Sequence, residues 1–137
     1  MDFGAVNWLA VLLAGVVFFA IGGVWYGPLF ADRWQRASGV SEELARESNL
    51  PLVFISTFVL ELIAALGLAL VIGDSRGVAN ALLNGLLTGL LLNLLLVLPV
   101  LGVLSVFERK SWDLWWLNAG YNLIGFMAMG AVIGALQ

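Results

Sequence analysis

Pro51 to Gly73 reads PLVFISTFVLELIAALGLALVIG, an apolar run of membrane-spanning length with one carboxylate, Glu61, near its middle. Between Leu52 and Ile72 it holds fourteen Leu, Ile, Val or Phe residues. At roughly 0.3–0.6 kcal/mol each these favour insertion into a bilayer by ~4–8 kcal/mol, against about 3 kcal/mol for one central acid. Insertion wins, so Glu61 is expected in a lipid-spanning helix, where an ionisable group marks a functional site by default. Ala65, Ala69 and Gly73 follow it at four-residue steps, which places the acid on a small-residue stripe suited to close helix approach. The side chain is therefore expected to face protein rather than lipid.

The rest of the chain agrees with this assignment. Of 137 residues, 62% are hydrophobic and 11% charged, too apolar to cover a soluble globule of this size. No charge occurs over residues 3–31, 77–107 or 114–137, and only Glu61 over 48–73. With ~20 residues needed per span, the fold class is all-α: an integral membrane four-helix bundle. A single membrane domain over residues 1–137 is expected, with spans at about 5–27, 50–73, 78–106 and 113–136 and a cytoplasmic connector at 29–49.

Composition also excludes function classes. The net charge is −3 and the six basic residues are scattered, so DNA and RNA are not expected partners. Without Cys or His there is no disulfide framework, no thiolate nucleophile and no imidazole or thiolate metal ligand. No metal site and no cofactor are expected.

The N-terminus has an acid at Asp2, no basic lead-in and an apolar run longer than a signal-peptide core, which reads as a retained first span. Trp8 and Trp25 lie ~25 Å apart along such a helix, the separation of two interfacial aromatic belts. Gly27-Pro28 then stops it, since proline lacks the ladder N–H and disfavours helix at the preceding residue. In the connector, Ser41 followed by Glu42 and Glu43 is a good helix start, so a short interfacial helix is expected over 41–47, its apolar residues resting on the bundle or on headgroups.

Asp74-Ser75-Arg76-Gly77 reads as a tight turn that lays the third span antiparallel beside the second. The stretch from Val78 to Phe107 exceeds a bilayer's needs and must tilt, kink at Pro99 or protrude. It carries a small-residue stripe, Ala81, Gly85 and Gly89, continued by Asn93. Asn80, Asn84 and Thr88 form a second polar line on an adjacent face. The final span begins with Trp112, Trp115 and Trp116 at an interface and holds Asn118, Tyr121 and Asn122, with Gly130 and Gly134 near its far end.

Arg33, Arg36, Arg46, Arg109 and Lys110 lie on the side of the two longer loops, and Arg76 alone on the other. The positive-inside rule puts those loops in the cytoplasm and both termini outside it. By helix rise, Glu61, Asn93 and Asn122 lie ~2, ~8 and ~5 Å from the midplane on the cytoplasmic side. They can form one cluster in which asparagine amides satisfy the carboxyl group, with Tyr121 nearby. The plain role for Asn84, Asn93 and Asn122 is interhelical hydrogen bonding, and the competing role for Glu61 is a protonated structural acid.

The segments N-W-L-A-V at Asn7 to Val11 and W-Y-G-P-L-F at Trp25 to Phe30, with Trp34 after them, resemble a family of small, mostly bacterial membrane proteins, the domain of unknown function 1761. The resemblance covers the whole chain. It implies a four-span protein of the bacterial inner (plasma) membrane and brings no activity, cofactor or catalytic residue. It directs attention to Trp25, Tyr26, Pro28 and Trp34 as a packed interfacial corner or part of a site.

Two functions compete. One is transport or permeation of a small solute or proton through a Glu61–Asn93–Asn122 site, with Tyr121 and Asn84 nearby. Four spans are few for such a route, so a homo-oligomer is expected. The other is a noncatalytic scaffold or accessory subunit that docks a partner membrane protein. No nucleophile with an adjacent base and no phosphate-cradling loop supports an enzyme.

Overall fold

The computed structural model describes residues 3–137, so the acid at Asp2 lies outside the described residues. The described chain is helical and without strands. Four stretches are long and apolar enough to cross a bilayer: Trp8–Leu29, Leu50–Ile72, Ala81–Phe107 and Trp112–Leu136. This is an all-α bundle of a membrane protein.

Helix α1, Trp8–Val24, starts at Asn7, whose side-chain oxygen accepts from the backbone N–H of Leu9 and Ala10 at 3.1 and 3.2 Å. Gly27-Pro28 bends this span and does not end it abruptly. Proline supplies no N–H and crowds the carbonyl four residues back, so a π turn forms over Trp25–Leu29, with Gly27 out of the helical region (φ −94°, ψ −108°). The chain re-enters helix as α2, Ala31–Ser38, which ends on Gly39 at φ 72°. Helix α3, Glu42–Glu47, is capped by Ser41 as its sequence suggests. The connector thus holds two helices where one was expected. Half-buried Ala31, Trp34, Gln35 and Ser38 form the inner face of the additional one.

Helix α4, Leu50–Ile72, is capped by Asn49, has Pro51 in its first turn, and stops at Gly73 with φ 66°. The third span begins at Ala81, after the left-handed Asn80, and so starts later than expected. It comprises α5, Ala81–Leu92, a π turn at Asn93–Val97, and α6, Leu98–Phe107. Pro99, next in line, accounts for the π turn: its ring would crowd the Leu95 carbonyl, and the widened turn makes room. Helix α7, Trp112–Leu136, is capped by Ser111.

The last helix organises the packing, since it meets α1, α4 and α5. The expectation that the second and third spans lie side by side is corrected: α4 and α5 scarcely touch, and the principal partner of α5 is α7. The reason is steric. A β-carbon on Gly85 would collide with the carbonyl of Gly130, one on Gly89 with that of Phe126, and one on Gly134 with that of Ala81. Backbones approach this closely only where both helices carry small residues, and α5 finds them on α7. Ala10 and Ala14 of α1, Ala65 and Ala69 of α4, and Met129 and Ile133 of α7 are fully buried.

The end of the bundle that carries the termini is also latched by side chains. Asn7 donates to the Leu136 carbonyl at 2.9 Å and Ser75 to that of Gly134 at 2.9 Å. The Gln137 amide donates to the carbonyls of Ala69 and Gly73 at 2.8 and 2.7 Å. Each latch serves carbonyls in or just beyond a last helical turn, the groups that a helix leaves without partners.

Candidate functional site

Glu61 projects from α4 toward α7 and is 5% exposed. Ala65 and Ala69 of the stripe behind it are buried too, so the acid faces protein. Its Oε1 accepts a 2.6 Å hydrogen bond from the Tyr121 hydroxyl. Its Oε2 is buried without a partner, and none of the ion pairs among the described residues involves it.

Tyr121 is positioned by packing on both sides. Its ring stacks on Phe18 of α1 with centroids 4.8 Å apart and meets the Tyr26 ring edge-on at 5.1 Å. Gly22 leaves the space that its hydroxyl occupies: a β-carbon there would sit 3.2 Å from the oxygen. Tyr26 turns its own hydroxyl to Asn118 Oδ1 at 2.7 Å. Trp25 donates from Nε1 to the Leu117 carbonyl at 3.1 Å, its ring seated on Gly120, where a β-carbon would come within 2.9 Å. Trp34 packs edge-on to Tyr26 at 6.3 Å. Beyond it Arg33 pairs with Asp113, and Ser111 donates to the Ala37 carbonyl at 3.1 Å. Trp25, Tyr26 and Trp34 thus build a corner that fastens the connector to α7, and two tyrosines and Asn118 run from that corner to Glu61. Pro28 creates the bend but lies exposed.

The amide cluster expected around the acid takes a different form. The partner of Glu61 is Tyr121. Asn122 donates to the Asn118 carbonyl of its own helix at 2.8 Å. Asn93 is fully buried, at the start of the π turn, and neither amide atom has a partner. Asn84 is exposed and reaches only the Ala79 carbonyl, at 3.4 Å. Of the residues named from sequence, the structure joins Glu61 to Tyr121 and sets Tyr26 beside them, while Asn84, Asn93 and Asn122 make no bond to the acid. Phe18, Gly22 and Gly120 were not singled out in the sequence. Gly22 follows Phe18 by one turn, which puts both on the face that receives the Tyr121 ring.

Chemically, the pair is a carboxyl group with one oxygen held by a phenol and the other free to carry a proton.

A family model described as Protein of unknown function (DUF1761) matches residues 9–134. No curated protein and no solved structure gives a match.

Proposed function

We propose that this chain, which belongs to the family described as Protein of unknown function (DUF1761), is a noncatalytic membrane protein in which Glu61 binds and releases a proton during transport or permeation of a small solute or of protons. The observation that supports this most is the Tyr121 bond to Oε1 beside an unpartnered, buried Oε2. A packing role alone would be served at lower cost by an apolar side chain, since a buried polar atom without a partner costs about 1–3 kcal/mol. Tyr121 bonds the acid and Tyr26 bonds Asn118, with the two rings in contact between them, and a proton exchanging with water would leave on this side, toward the connector. By the balance of basic residues the connector faces the cytoplasm of a plasma-membrane protein and both termini face away. Because four spans enclose little space, the working form is a homo-oligomer.

The sealing of Glu61, only 5% exposed, favours a second role, a scaffold in which the acid fixes α4 to α7. Infrared spectroscopy of reconstituted protein separates the two. A protonated-carboxyl carbonyl band is expected in the wild type, lost in Glu61→Gln and shifted in Tyr121→Phe. In the proton-binding role the band moves promptly on transfer to deuterated water and disappears as the pH is raised. A band that neither exchanges nor titrates overturns that role and leaves the scaffold. Proton flux in vesicles that Glu61→Gln leaves undiminished removes the acid from any transport step.

A further inference from the structure

The face of α5 that looks away from its own bundle is leucine-rich but carries one amide, Asn84, where hydrocarbon should meet it. Gly85 packs on Gly130, and Gly130 lies about 9 Å along the helix from the centre of α7, inside a half-thickness of ~15 Å. Asn84, next to Gly85, is therefore at hydrocarbon depth. It is exposed, its Nδ2 makes only the 3.4 Å bond to Ala79, and its Oδ1 accepts none among the described residues. An amide facing lipid in this way leaves donor and acceptor unsatisfied, where no water can serve them.

Asn84 heads a regular pattern. Leu87, Leu91 and Leu94 follow at steps of three, four and three, and are 43%, 54% and 43% exposed. At ~100° per residue this seam points about 180° away from Gly85, Gly89 and Asn93, the stripe that faces α7. Asparagine at one a position with leucine at the d and a positions that follow is the pattern of a left-handed helix pair whose register the amide sets. An amide carries donor and acceptor together, so it complements itself across a two-fold axis.

We infer that a second copy of this chain docks on α5 through the Asn84–Leu87–Leu91–Leu94 seam, with the two Asn84 amides bonded to each other across the dimer axis. This deepens the proposed oligomer by naming its surface and rests on the chain spanning the bilayer, but not on the proton chemistry of Glu61. The dimer covers an amide that lipid cannot satisfy, while the lipid-tolerant leucines below it supply shape.

The chain has no cysteine, so single-cysteine cross-linking in lipid vesicles tests the seam directly. Leu87→Cys and Leu91→Cys are expected to form disulfide dimers. Leu82→Cys, on the other side of α5, and Leu60→Cys on α4 are expected to remain monomeric, although both positions are exposed. Adding Asn84→Leu to the Leu91→Cys protein should slow cross-linking about tenfold, the scale of one interhelical amide contact, and Asn84→Gln should restore most of it. Dimers at Leu60 but not at the seam would overturn the α5 surface while leaving an oligomer. Equal yields at all four positions, no dimers at all, or an Asn84→Leu protein that cross-links at the wild-type rate would each overturn the inference, and a seam protected by another protein would assign it to a different partner.

Discussion

Residues 50–60 and 61–72 of α4 are similarly hydrophobic, yet the first half contains no buried residue while Glu61, Ala65, Leu68 and Ala69 of the second are buried. The third span divides in the same way. Gly85 and Gly89 of α5 are buried against α7, and no residue of α6 is. In both spans the packed half is the one with small residues at four-residue intervals. Where the surroundings are themselves apolar, hydrophobicity gives no reason for two helices to meet, and the closeness of approach decides.

The sharpest attempt to break this contrast uses two glycines. Gly130→Leu forces a side chain into the Gly85 backbone and is expected to cost about 3 kcal/mol in unfolding measurements. Gly102→Ala in α6 meets only Trp115, with Nε1 3.6 Å from the new carbon, and is expected to gain up to ~1 kcal/mol from helix propensity. Similar losses for both would mean that α6 is packed as tightly as α5. Next in size, Leu68→Ala should cost about 2 kcal/mol because the residue is fully enclosed, whereas Leu52→Ala should be close to neutral because lipid replaces the lost contacts.

The latches and the connector sharpen the contrast further. Gln137→Leu removes both bonds to the end of α4 and is expected to cost about 1–2 kcal/mol. Asp113→Asn at the opposite end breaks a half-exposed ion pair with Arg33 and is expected to destabilise less than Gln137→Leu does, by an amount that shrinks further in high salt. The smallest effect belongs to Asp74. The Arg76 guanidinium beside it holds its carboxyl below the usual carboxylate range, so its contribution is complete above that range and is lost as the pH falls through the depressed value. Stability in Arg76→Gln should depend less on pH below roughly 4 than in the wild type.

Much of this was legible in the sequence. The gaps between charges mark four spans, and the stripes from Glu61 to Gly73 and from Ala81 to Asn93 mark the faces that pack. The partner of each stripe was not legible, because a short turn such as 74–77 suggests neighbours while steric fit chooses α7. The partner of Glu61 was half legible. Depth and donor chemistry bring Asn93, Asn122 and Tyr121 near the acid alike, but depth along an axis says nothing about which way a side chain turns around it. The helix at Ala31–Ser38 is signalled by Trp34 and by the stop at Gly39, but a polar stretch after Pro28 reads first as a loop.

The wide turn at Asn93–Val97 has an effect on the half of the third span that follows. One surplus residue in the winding rotates everything after it by roughly 100°, which swings Val97, Leu101 and Ser105 back toward the side that Gly85 and Gly89 occupy. The neighbourhood of Gly102 and Trp115 depends on that rotation. Removing a single residue from the turn would therefore aim α6 outward and undock it from the tryptophans at the start of α7, with every side chain of the helix itself unchanged.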